Sequence, residues 1–333
     1  MTEDPRKIGG GDDTPSPPGE VHVDWPRCVA VVFNPSSGGD SAAQKAEQIR
    51  AVVEQTGKEL IWLETTPEDS GVGMAKDAVE RGADVVIAAG GDGTVMACAT
   101  GLAGSEVPLA VVPLGTGNLV AVNFDIPIDI TDAVEIALVC RRRRIDLGST
   151  GDGDGRFVIA AGMGFDAALL RDTPHRLKAI AGPLAYVWSG LRNLRRPRAK
   201  FELELDDERV TRRAQGVLVA NLGKIQGGLP MLPDAVPDDG LFDIAVLRTR
   251  TIGDWARVAL KVLSRSREAP PRIDTYRATK VSIRCDRSQP VQFDGDTVEP
   301  TNRLDLQIDA DSLTLAVPEH QEEQTPPARR EAE

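Results

Sequence analysis

A short apolar segment followed by a glycine-rich turn, residues 85–102 (VVIAAGGDGTVMACATGL), constrains the fold most strongly. Its first five residues are apolar and rich in β-branched side chains, as in a parallel strand that is buried on both faces. Gly90, Gly91 and Gly93 allow the backbone to turn sharply and to approach a ligand closely. A helix predicted to begin at Thr94 would direct its exposed N–H groups and its dipole toward the turn, which favours binding of a phosphate.

Asp92 is the unusual residue in this turn. A carboxylate beside phosphates is repulsive unless it arranges a metal ion or takes part in proton transfer. The residues therefore leave two interpretations open. The first is a phosphate-binding loop in which Asp92 has a chemical role, and the second is an ordinary strand-to-helix turn that Asp92 caps.

Composition and charge narrow the class of protein. The 333 residues suffice for two domains, and a net charge of −12 argues against a general nucleic-acid binder. Four scattered cysteines without a CxxC pair predict reduced thiols in a cytoplasmic protein. No run approaches about 18 apolar residues, so no membrane-spanning segment is predicted. Residues 1–24 and 319–333 are rich in proline, glycine and charge, and we predict that both are disordered tails.

Strand and helix patterns alternate over residues 25–145, which we interpret as the first folded domain. Strands are predicted at 28–33, 59–64, 85–89 and 108–112, with helices at 41–57, 68–81, from Thr94 onward and at 130–140. This alternation predicts a parallel sheet, and ligands of such sheets bind at the carboxyl ends of the strands. Three of these ends carry NPSSGG, GGDGT and PLGTGN. We therefore expect the three loops to converge on a nucleotide-phosphate site.

Residues 146–318 show alternating strand patterns instead and form the second predicted domain. Strands are predicted at 156–161, 201–205, 214–220, 242–246, 280–285, 291–293, 304–308 and 312–316, and helices at 173–194 and 251–263. This pattern predicts an antiparallel β domain that carries helices. The arginine run at 141–144 is interpreted as the solvated end of a helix, with a phosphate contact as the alternative.

Six motifs together resemble the diacylglycerol kinase catalytic family, in particular the bacterial lipid kinases related to sphingosine kinases and, more distantly, NAD kinases. They are NPSSGG, AAGGDGT, PLGTGN, IDLG, PDAVPDDGLFD and FDGD, and the resemblance runs from about residue 29 to residue 318. It implies an α/β nucleotide-binding domain, a β-sandwich domain for the lipid substrate, and an active site in the cleft between them. It also implies phosphorylation of a lipid hydroxyl, such as that of diacylglycerol, with ATP and Mg²⁺.

The resemblance assigns roles to individual residues. Asp296 matches the proposed general base, and Asp92 matches an acidic residue that arranges Mg²⁺ and water around the phosphates. The positions that match nucleotide-binding residues are Asn34, Ser37, Gly38, Thr65, Gly90, Gly91, Asp92, Gly93, Thr94, Thr116 and Asn118. Asp146 and Asp294 match further metal-associated residues near the phosphates. A second, structural Mg²⁺ site would take the carboxylate of Asp239 and the backbone carbonyls of Val236 and Leu241.

Four positions depart from the pattern of that family. Met96 and Ala97 stand where an Asn-Glu pair is common, Leu119 replaces the usual Asp, and Asp296 replaces the usual Glu. Because a misplacement of roughly 1 Å can cost on the order of a hundredfold in rate, the shorter Asp296 matters. A nucleotide-binding relative without catalysis is therefore one alternative. An NAD kinase-like enzyme with a soluble acceptor is another, although this chain contains no Asn-Glu dipeptide.

The segment 171–200 reverses the acidic character of the chain. It contains eight basic residues and one acidic residue, with apolar side chains among them at helical spacing. One interpretation is a helix that faces the core and has a solvated basic face. The other is peripheral docking on the anionic inner face of the membrane, where a lipid substrate would be collected. The sequence does not determine the oligomeric state, and a homodimer is compatible with it.

Overall fold

The computed structural model describes residues 26–139, 141–152, 155–164, 198–225, 229–230, 232–249, 251, 253–254 and 272–319. Its first part is a parallel sheet of β1 (Cys28–Phe33), β2 (Glu59–Glu64), β3 (Val85–Gly90) and β4 (Leu109–Pro113) in the order β4-β3-β1-β2. The helices around it are α1 (Ala42–Glu54), α2 (Val72–Glu80), α3 (Asp92–Leu102), α4 (Leu119–Asn123) and α5 (Ile130–Val139). Strands β1, β3 and β4 are buried throughout, as expected for strands covered on both faces.

The second part is antiparallel. Its strands are β5 (Arg142–Thr150), β6 (Arg156–Phe157), β7 (Ala160–Met163), β8 (Ala199–Leu205), β9 (Glu208–Ala214), β10 (Gly216–Ala220), β11 (Lys224–Ile225), β12 (Leu229–Pro230), β13 (Phe242–Leu247), β14 (Ile273–Ala278), β15 (Lys280–Phe293) and β16 (Asp296–Ala316). Strand β8 alternates between buried and exposed residues, the pattern of a sheet with one face on a core. The parallel and antiparallel parts confirm the predicted fold class.

Strand β16 connects the two parts. It pairs antiparallel with β15 and β5, and near its end Leu315 pairs in parallel with Leu109 of β4. Leu304 and Leu306 pack in the core of the antiparallel part, whereas Leu313 and Leu315 pack in the core of the parallel part. The path of this one strand fixes the hairpin at its start relative to the parallel sheet.

Several predicted elements differ from the structure. Strands β15 and β16 each continue through what the sequence predicted as two strands, because register shifts of the bulge type keep the pairing intact. The interpretation of residues 141–144 as a solvated helix end is wrong. Arg142 begins β5 and is 1% exposed, and Arg143 makes two hydrogen bonds to Asp238 at 2.8 and 2.9 Å.

Several other predictions fall outside the described residues. They include the helix at 173–194, most of the helix at 251–263, nearly all of the basic segment 171–200 and almost all of the two tails. Among the helices that are described, none has both the length and the hydropathy needed to cross a bilayer.

Candidate functional site

The three glycine-rich loops meet at the carboxyl edge of the parallel sheet. Asn34 follows β1, and its Nδ2 donates a hydrogen bond to Oγ1 of Thr94 in α3 at 3.0 Å. The backbone N–H of Gly91 donates to Oγ of Ser37 at 3.2 Å. The loop after β1 and the turn after β3 are therefore joined by side-chain hydrogen bonds, as the strand order predicted.

The loop after β4 packs directly on the turn after β3. A Cβ atom on Gly115 would lie 2.6 Å from the Cα atom of Gly91, which is too close for two carbon atoms that are not bonded. Only glycine, which has no Cβ atom, fits at this position. Asn118 adopts a left-handed conformation with φ 46°, and its side-chain amide closes the loop by bonding the N–H and C=O of Gly115 at 3.0 and 2.9 Å. Contacts between protein atoms thus join these loops to one another.

We expect Gly115→Ala to destabilise the protein by about 1–3 kcal/mol, because the new methyl group would force two backbone segments apart. Gly93→Ala is the matched control, since a Cβ atom at Gly93 would meet no atom within 4 Å. Chemical denaturation of both variants measures the difference. Equal stability of the two variants would show that the two turns do not need this close approach.

The remaining predicted nucleotide-binding residues lie on the same edge. Gly38 is in the 3-10 turn Pro35–Ser41, and Thr65 follows β2, where its N–H donates to the carbonyl of Phe33 at 2.9 Å. Gly90 ends β3, Gly93 is in the first turn of α3, and Thr116 is exposed in the loop after β4. Their role in binding a nucleotide stays a prediction.

Asp92 begins α3, and its Oδ1 accepts a hydrogen bond from the N–H of Leu119, the first residue of α4, at 2.5 Å. Burial raises the pKa of this carboxyl, hydrogen bonds from Leu119 and Asn118 oppose the rise, and the negative charge of Asp296 adds to it. The charge of Asp296, a residue distant in the sequence, thus contributes to the electrostatic environment of Asp92.

Asp296 follows a two-residue hairpin turn. Asp294 and Gly295 both have positive φ, 48° and 95°, as in a type I′ turn, and Phe293 pairs with Asp296 across it. Asp296 is exposed and is the first residue of β16. The tip of this hairpin therefore holds Asp296 at an exposed position.

Asp294 itself is directed into the protein. Its Oδ1 accepts hydrogen bonds from the N–H groups of Ile159 and Ala160, and its Oδ2 accepts one from Val158, all at 2.8 Å. Burial raises the pKa of this carboxyl to about 6, while the three hydrogen bonds act in the opposite direction. Both oxygens thus accept hydrogen bonds from the backbone of residues 158–160, which joins β6 to the start of β7.

Asp146, the other residue predicted near the phosphates, is 1% exposed. Its Oδ1 accepts from the N–H of Asp311 and its Oδ2 from the N–H of Gly240, each at 2.8 Å. Burial is the main cause that raises its pKa to about 6. These partners belong to β16 and the turn at 237–240, so Asp146 fastens that turn and makes no hydrogen bond to the three loops.

The predicted structural Mg²⁺ site lies around the same turn. Asp239 accepts a hydrogen bond from the N–H of Leu241 at 3.1 Å and forms an ion pair with Arg277. Asp243 is 7% exposed, and its buried Oδ2 has no hydrogen-bond partner in the described part of the chain. An orphaned carboxylate oxygen beside Asp239, with the carbonyl of Leu241 and the buried Val236 nearby in sequence, suits a hard cation that takes oxygen ligands. No cluster of three or more His, Cys, Asp or Glu with metal-binding geometry occurs among the described residues.

The buried carboxyls predict a pH dependence of stability. Burial is the leading cause that raises the pKa of Asp146, Asp243 and Asp294 to about 6, above the unfolded value of about 4. Between these values the folded chain binds more protons, so stability is highest below the window and is lost as pH rises through 6. With a chelator present, we expect the free energy of unfolding to increase by on the order of 1 kcal/mol per group from pH 7.5 to pH 5.

Denaturant titrations at several pH values measure this slope. Asp243→Asn removes one titrating group and should reduce the slope by about a third. A free energy of unfolding that stays constant or decreases toward pH 5 would contradict the inferred pKa shifts.

Sequence reasoning missed a polar contact between the two parts of the molecule. Asn123, the last residue of α4, accepts from the N–H of Lys224 at 3.0 Å and donates to its carbonyl at 2.8 Å. The same Nδ2 also donates to the carbonyl of Leu119 at 2.9 Å. The helix that bonds Asp92 is thereby attached to β11. The one available signal was an asparagine in the otherwise apolar sequence LVAVNF.

Two family models match the chain. The diacylglycerol kinase catalytic domain matches residues 28–150, and the YegS C-terminal NAD kinase beta sandwich-like domain matches residues 159–317. A diacylglycerol kinase of Bacillus subtilis (strain 168) is 30% identical over 271 residues, which covers 80% of this chain and 88% of the relative. A diacylglycerol kinase of Mycobacterium tuberculosis (strain H37Rv) is 29% identical over 295 residues, 87% of this chain and 94% of the relative.

Solved structures share the fold. A diacylglycerol kinase from Bacillus anthracis str. Sterne aligns with a TM-score of 0.69 at 19% identity, covering 88% of this chain and 98% of that one. Another structure from the same strain aligns with a TM-score of 0.75 at 20% identity, covering 89% of this chain and 97% of that one. The arrangement of a parallel part followed by an antiparallel part is therefore an established architecture.

Proposed function

Because the chain belongs to the diacylglycerol kinase family, we propose that it is a kinase that transfers the γ-phosphate of ATP to a hydroxyl of a lipid such as diacylglycerol, with Mg²⁺. The observation that carries the proposal is the convergence of the three glycine-rich loops around the turn that holds Asp92. Asp92 lies in the first turn of α3, and Asp296 lies at the tip of the hairpin between β15 and β16. A phosphate donor would bind at the loops, with the hydroxyl of the acceptor near Asp296.

In the proposed reaction the loops bind and orient the phosphates. The N-terminus of α3 and the backbone N–H groups of the glycine turns stabilise the negative charge, which is most of what phosphoryl transfer requires. Asp296 accepts the proton of the acceptor hydroxyl as the hydroxyl oxygen attacks the γ-phosphorus, the bond from that phosphorus to the β,γ-bridging oxygen breaks, and ADP leaves. Contact between the three loops preorganises these groups before any ligand binds.

Magnesium would neutralise charge that develops on the transferred phosphate and would orient its oxygens. Asp92 fits a role in holding the ion, because its Oδ1 is fixed by the N–H of Leu119 while Oδ2 lies toward Gly117 in the loop after β4. Asp239, with the carbonyls of Val236 and Leu241, would hold a second ion in a structural role. The unpartnered oxygen of the neighbouring Asp243 supports a cation there.

Asp239→Ala tests the second ion. We expect this variant to lose most of the thermal stabilisation that Mg²⁺ gives the wild type, because a ligand that binds only the folded state stabilises it by mass action. Asp238→Ala is the control, since Asp238 pairs with Arg143 on the other side of the turn and is not a predicted ligand. Thermal unfolding with and without Mg²⁺ measures both. If Mg²⁺ stabilises Asp239→Ala as much as it stabilises the wild type, Asp239 does not hold the ion and the turn has no metal-binding role.

A kinase of a soluble acceptor is the second candidate. The description of the second family model includes an NAD kinase-like sandwich, and the GGDGT turn is common to both groups of enzymes. A nucleotide-binding protein without catalysis is the third, because Ala97 and Asp296 depart from the family's usual residues. The exposed carboxylate of Asp296 supports the lipid kinase over the third candidate, because Asp can still accept a hydroxyl proton.

Incubation with γ-labelled ATP, Mg²⁺ and a total lipid extract, followed by chromatography, tests the proposal. We expect label in a lipid product, and a parallel incubation with NAD should yield none. Label in NADP would favour the second candidate, and ATP binding without transfer to either acceptor would favour the third. Contact of residues 171–200 with the inner face of the membrane and a homodimer stay predictions, which vesicle sedimentation and light scattering can test.

A further inference from the structure

The contacts of Asp294 differ from those of a metal ligand. Residues 158 and 159 lie between β6 and β7, and both are at most 3% exposed. Buried N–H groups need an acceptor, and the Asp294 carboxylate supplies it for Val158, Ile159 and Ala160 at 2.8 Å each. The backbone N–H of Asp294 in turn donates to the carbonyl of Ala160 at 2.9 Å. The Asp294 side chain thus accepts the backbone hydrogen bonds that a neighbouring strand would otherwise accept from residues 158–160.

These contacts leave little capacity for Mg²⁺. A carboxylate has about four lone-pair positions, and three N–H groups occupy three of them. Two of these N–H groups point at Oδ1 and one at Oδ2, and their positive ends oppose the approach of a cation. Mg²⁺ also demands near-octahedral oxygen ligands at about 2.0–2.1 Å, which these N–H groups would obstruct. Asp294 therefore does not fit the metal role that family resemblance gives it.

The same contacts determine how the hairpin is presented. Asp294 and Gly295 form the turn with φ 48° and 95°, and the N–H of Gly295 donates to Oε1 of Gln292 at 2.6 Å. Gln292 is 4% exposed, so this support comes from inside the sandwich. The next residue is Asp296, whose charge acts on Asp92. Fixing the turn therefore fixes the direction in which Asp296 leaves it.

We infer that Asp294 is a positioning residue that fixes the hairpin tip carrying Asp296 through its bonds to the 158–160 backbone, and that it is not a ligand of the catalytic Mg²⁺. The inference rests on the proposed function only in assigning Asp296 as the base. Its structural half, the bonding of Asp294 to three backbone N–H groups in place of a metal ion, is independent of the acceptor.

Asp294→Asn and Asp294→Ala separate the two roles. Asn keeps one acceptor oxygen and tolerates positive φ, so it should preserve the turn and at least about a tenth of wild-type kcat. Ala has no acceptor and should lower kcat by roughly a hundredfold, the effect expected for a displaced base. In both variants the KM for ATP and the half-saturating Mg²⁺ concentration should stay within about twofold of wild type. A tenfold rise of half-saturating Mg²⁺ in Asp294→Asn would overturn the inference.

Asp206 provides a matched structural control. It also has a positive φ, 51°, in a hairpin turn, and its carboxylate accepts the N–H groups of Thr279 and Lys280 at 3.1 and 2.8 Å. Asp206→Ala should lower the melting temperature as Asp294→Ala does, yet leave kcat unchanged. An equal loss of kcat in Asp206→Ala would show that the effect of Asp294→Ala is only a loss of stability, and would overturn the inference.

Two measurements do not depend on turnover. Hydrogen exchange of the amides at 158–160 should be at least about tenfold faster in Asp294→Ala than in wild type. Calorimetric titration with Mg²⁺ in the presence of ADP should give the same Kd for wild type and Asp294→Asn. Unchanged exchange or a tenfold weaker Mg²⁺ affinity overturns the inference. If the wild type transfers no phosphate to any lipid, the proposed function fails, while these two results still decide how Asp294 is bonded.

Discussion

Replacing Asp92 with Asn is expected to abolish phosphoryl transfer, with a loss of roughly a thousandfold or more in kcat, while the protein stays folded. Asn retains the Oδ1 atom that accepts from the N–H of Leu119, so the link between α3 and α4 is preserved. It loses the negative charge that would hold Mg²⁺ beside the phosphates. Removing one group that stabilises transition-state charge costs about 10²–10³ in kcat, and a fully charged, partly buried group belongs at the upper end.

Asp84→Asn is the matched control for this variant. Asp84 precedes β3 at the opposite edge of the sheet, and its Oδ2 also accepts two backbone N–H groups, those of Arg27 and Cys28, at 2.7 and 2.9 Å. It should retain wild-type kcat. Transfer of label from ATP and thermal unfolding should be measured for both variants. Wild-type turnover in Asp92→Asn would remove Asp92 from the reaction and leave it the structural role of accepting the N–H of Leu119.

Replacing Asp296 with Asn is expected to lower kcat by roughly a hundredfold or more with little change in ATP affinity. The variant keeps the size of the side chain and removes its basicity, and losing a positioned base typically costs 10²–10⁴. Because Asp296 is exposed at the start of β16, the change should leave folding stability nearly unaffected. Kinetics at saturating ATP and lipid, together with an independent measurement of ATP binding, test both parts of this expectation.

Asp296→Glu distinguishes the effect of the basic carboxylate from the effect of side-chain length. Glu restores the residue that the family usually has, and it should retain more turnover than Asp296→Asn because it keeps the carboxylate. The competing assignment is that Asp92 takes the proton and Asp296 only lines the lipid cleft. Near-normal turnover of Asp296→Asn would transfer the role of base to Asp92.

The parallel part of the fold could be predicted from the sequence because its strands are buried on both faces. The predicted bounds of β1 and β2 agree with the structure, and those of β3 and β4 agree within one residue. Convergence of the three loops followed from the rule that parallel strands end at one edge. The antiparallel part was less predictable, because bulges let β15 and β16 continue through positions where the sequence pattern is interrupted.

The detail of the site depends on contacts that no sequence pattern reveals. Asp146, Asp294 and Asp296 are the same residue type in different surroundings. Asp146 and Asp294 accept hydrogen bonds from backbone N–H groups inside the protein, whereas Asp296 is exposed. Which carboxylate faces which way is decided by chain segments far apart in sequence. For the same reason the arginine run was misinterpreted, since the burial of Arg142 follows from the pairing of β5 with β16.

We propose that this chain transfers phosphate from ATP to a lipid hydroxyl, with Asp92 and Asp296 as the two carboxylates that take part. The most direct measurement is the formation of labelled phosphatidic acid from γ-labelled ATP and diacylglycerol in mixed micelles with Mg²⁺. We predict labelled phosphatidic acid with the wild type, none without Mg²⁺, and a loss of at least roughly a hundredfold in each Asn variant. The claim would be contradicted if folded, ATP-binding wild-type protein labelled neither diacylglycerol nor any component of a total lipid extract.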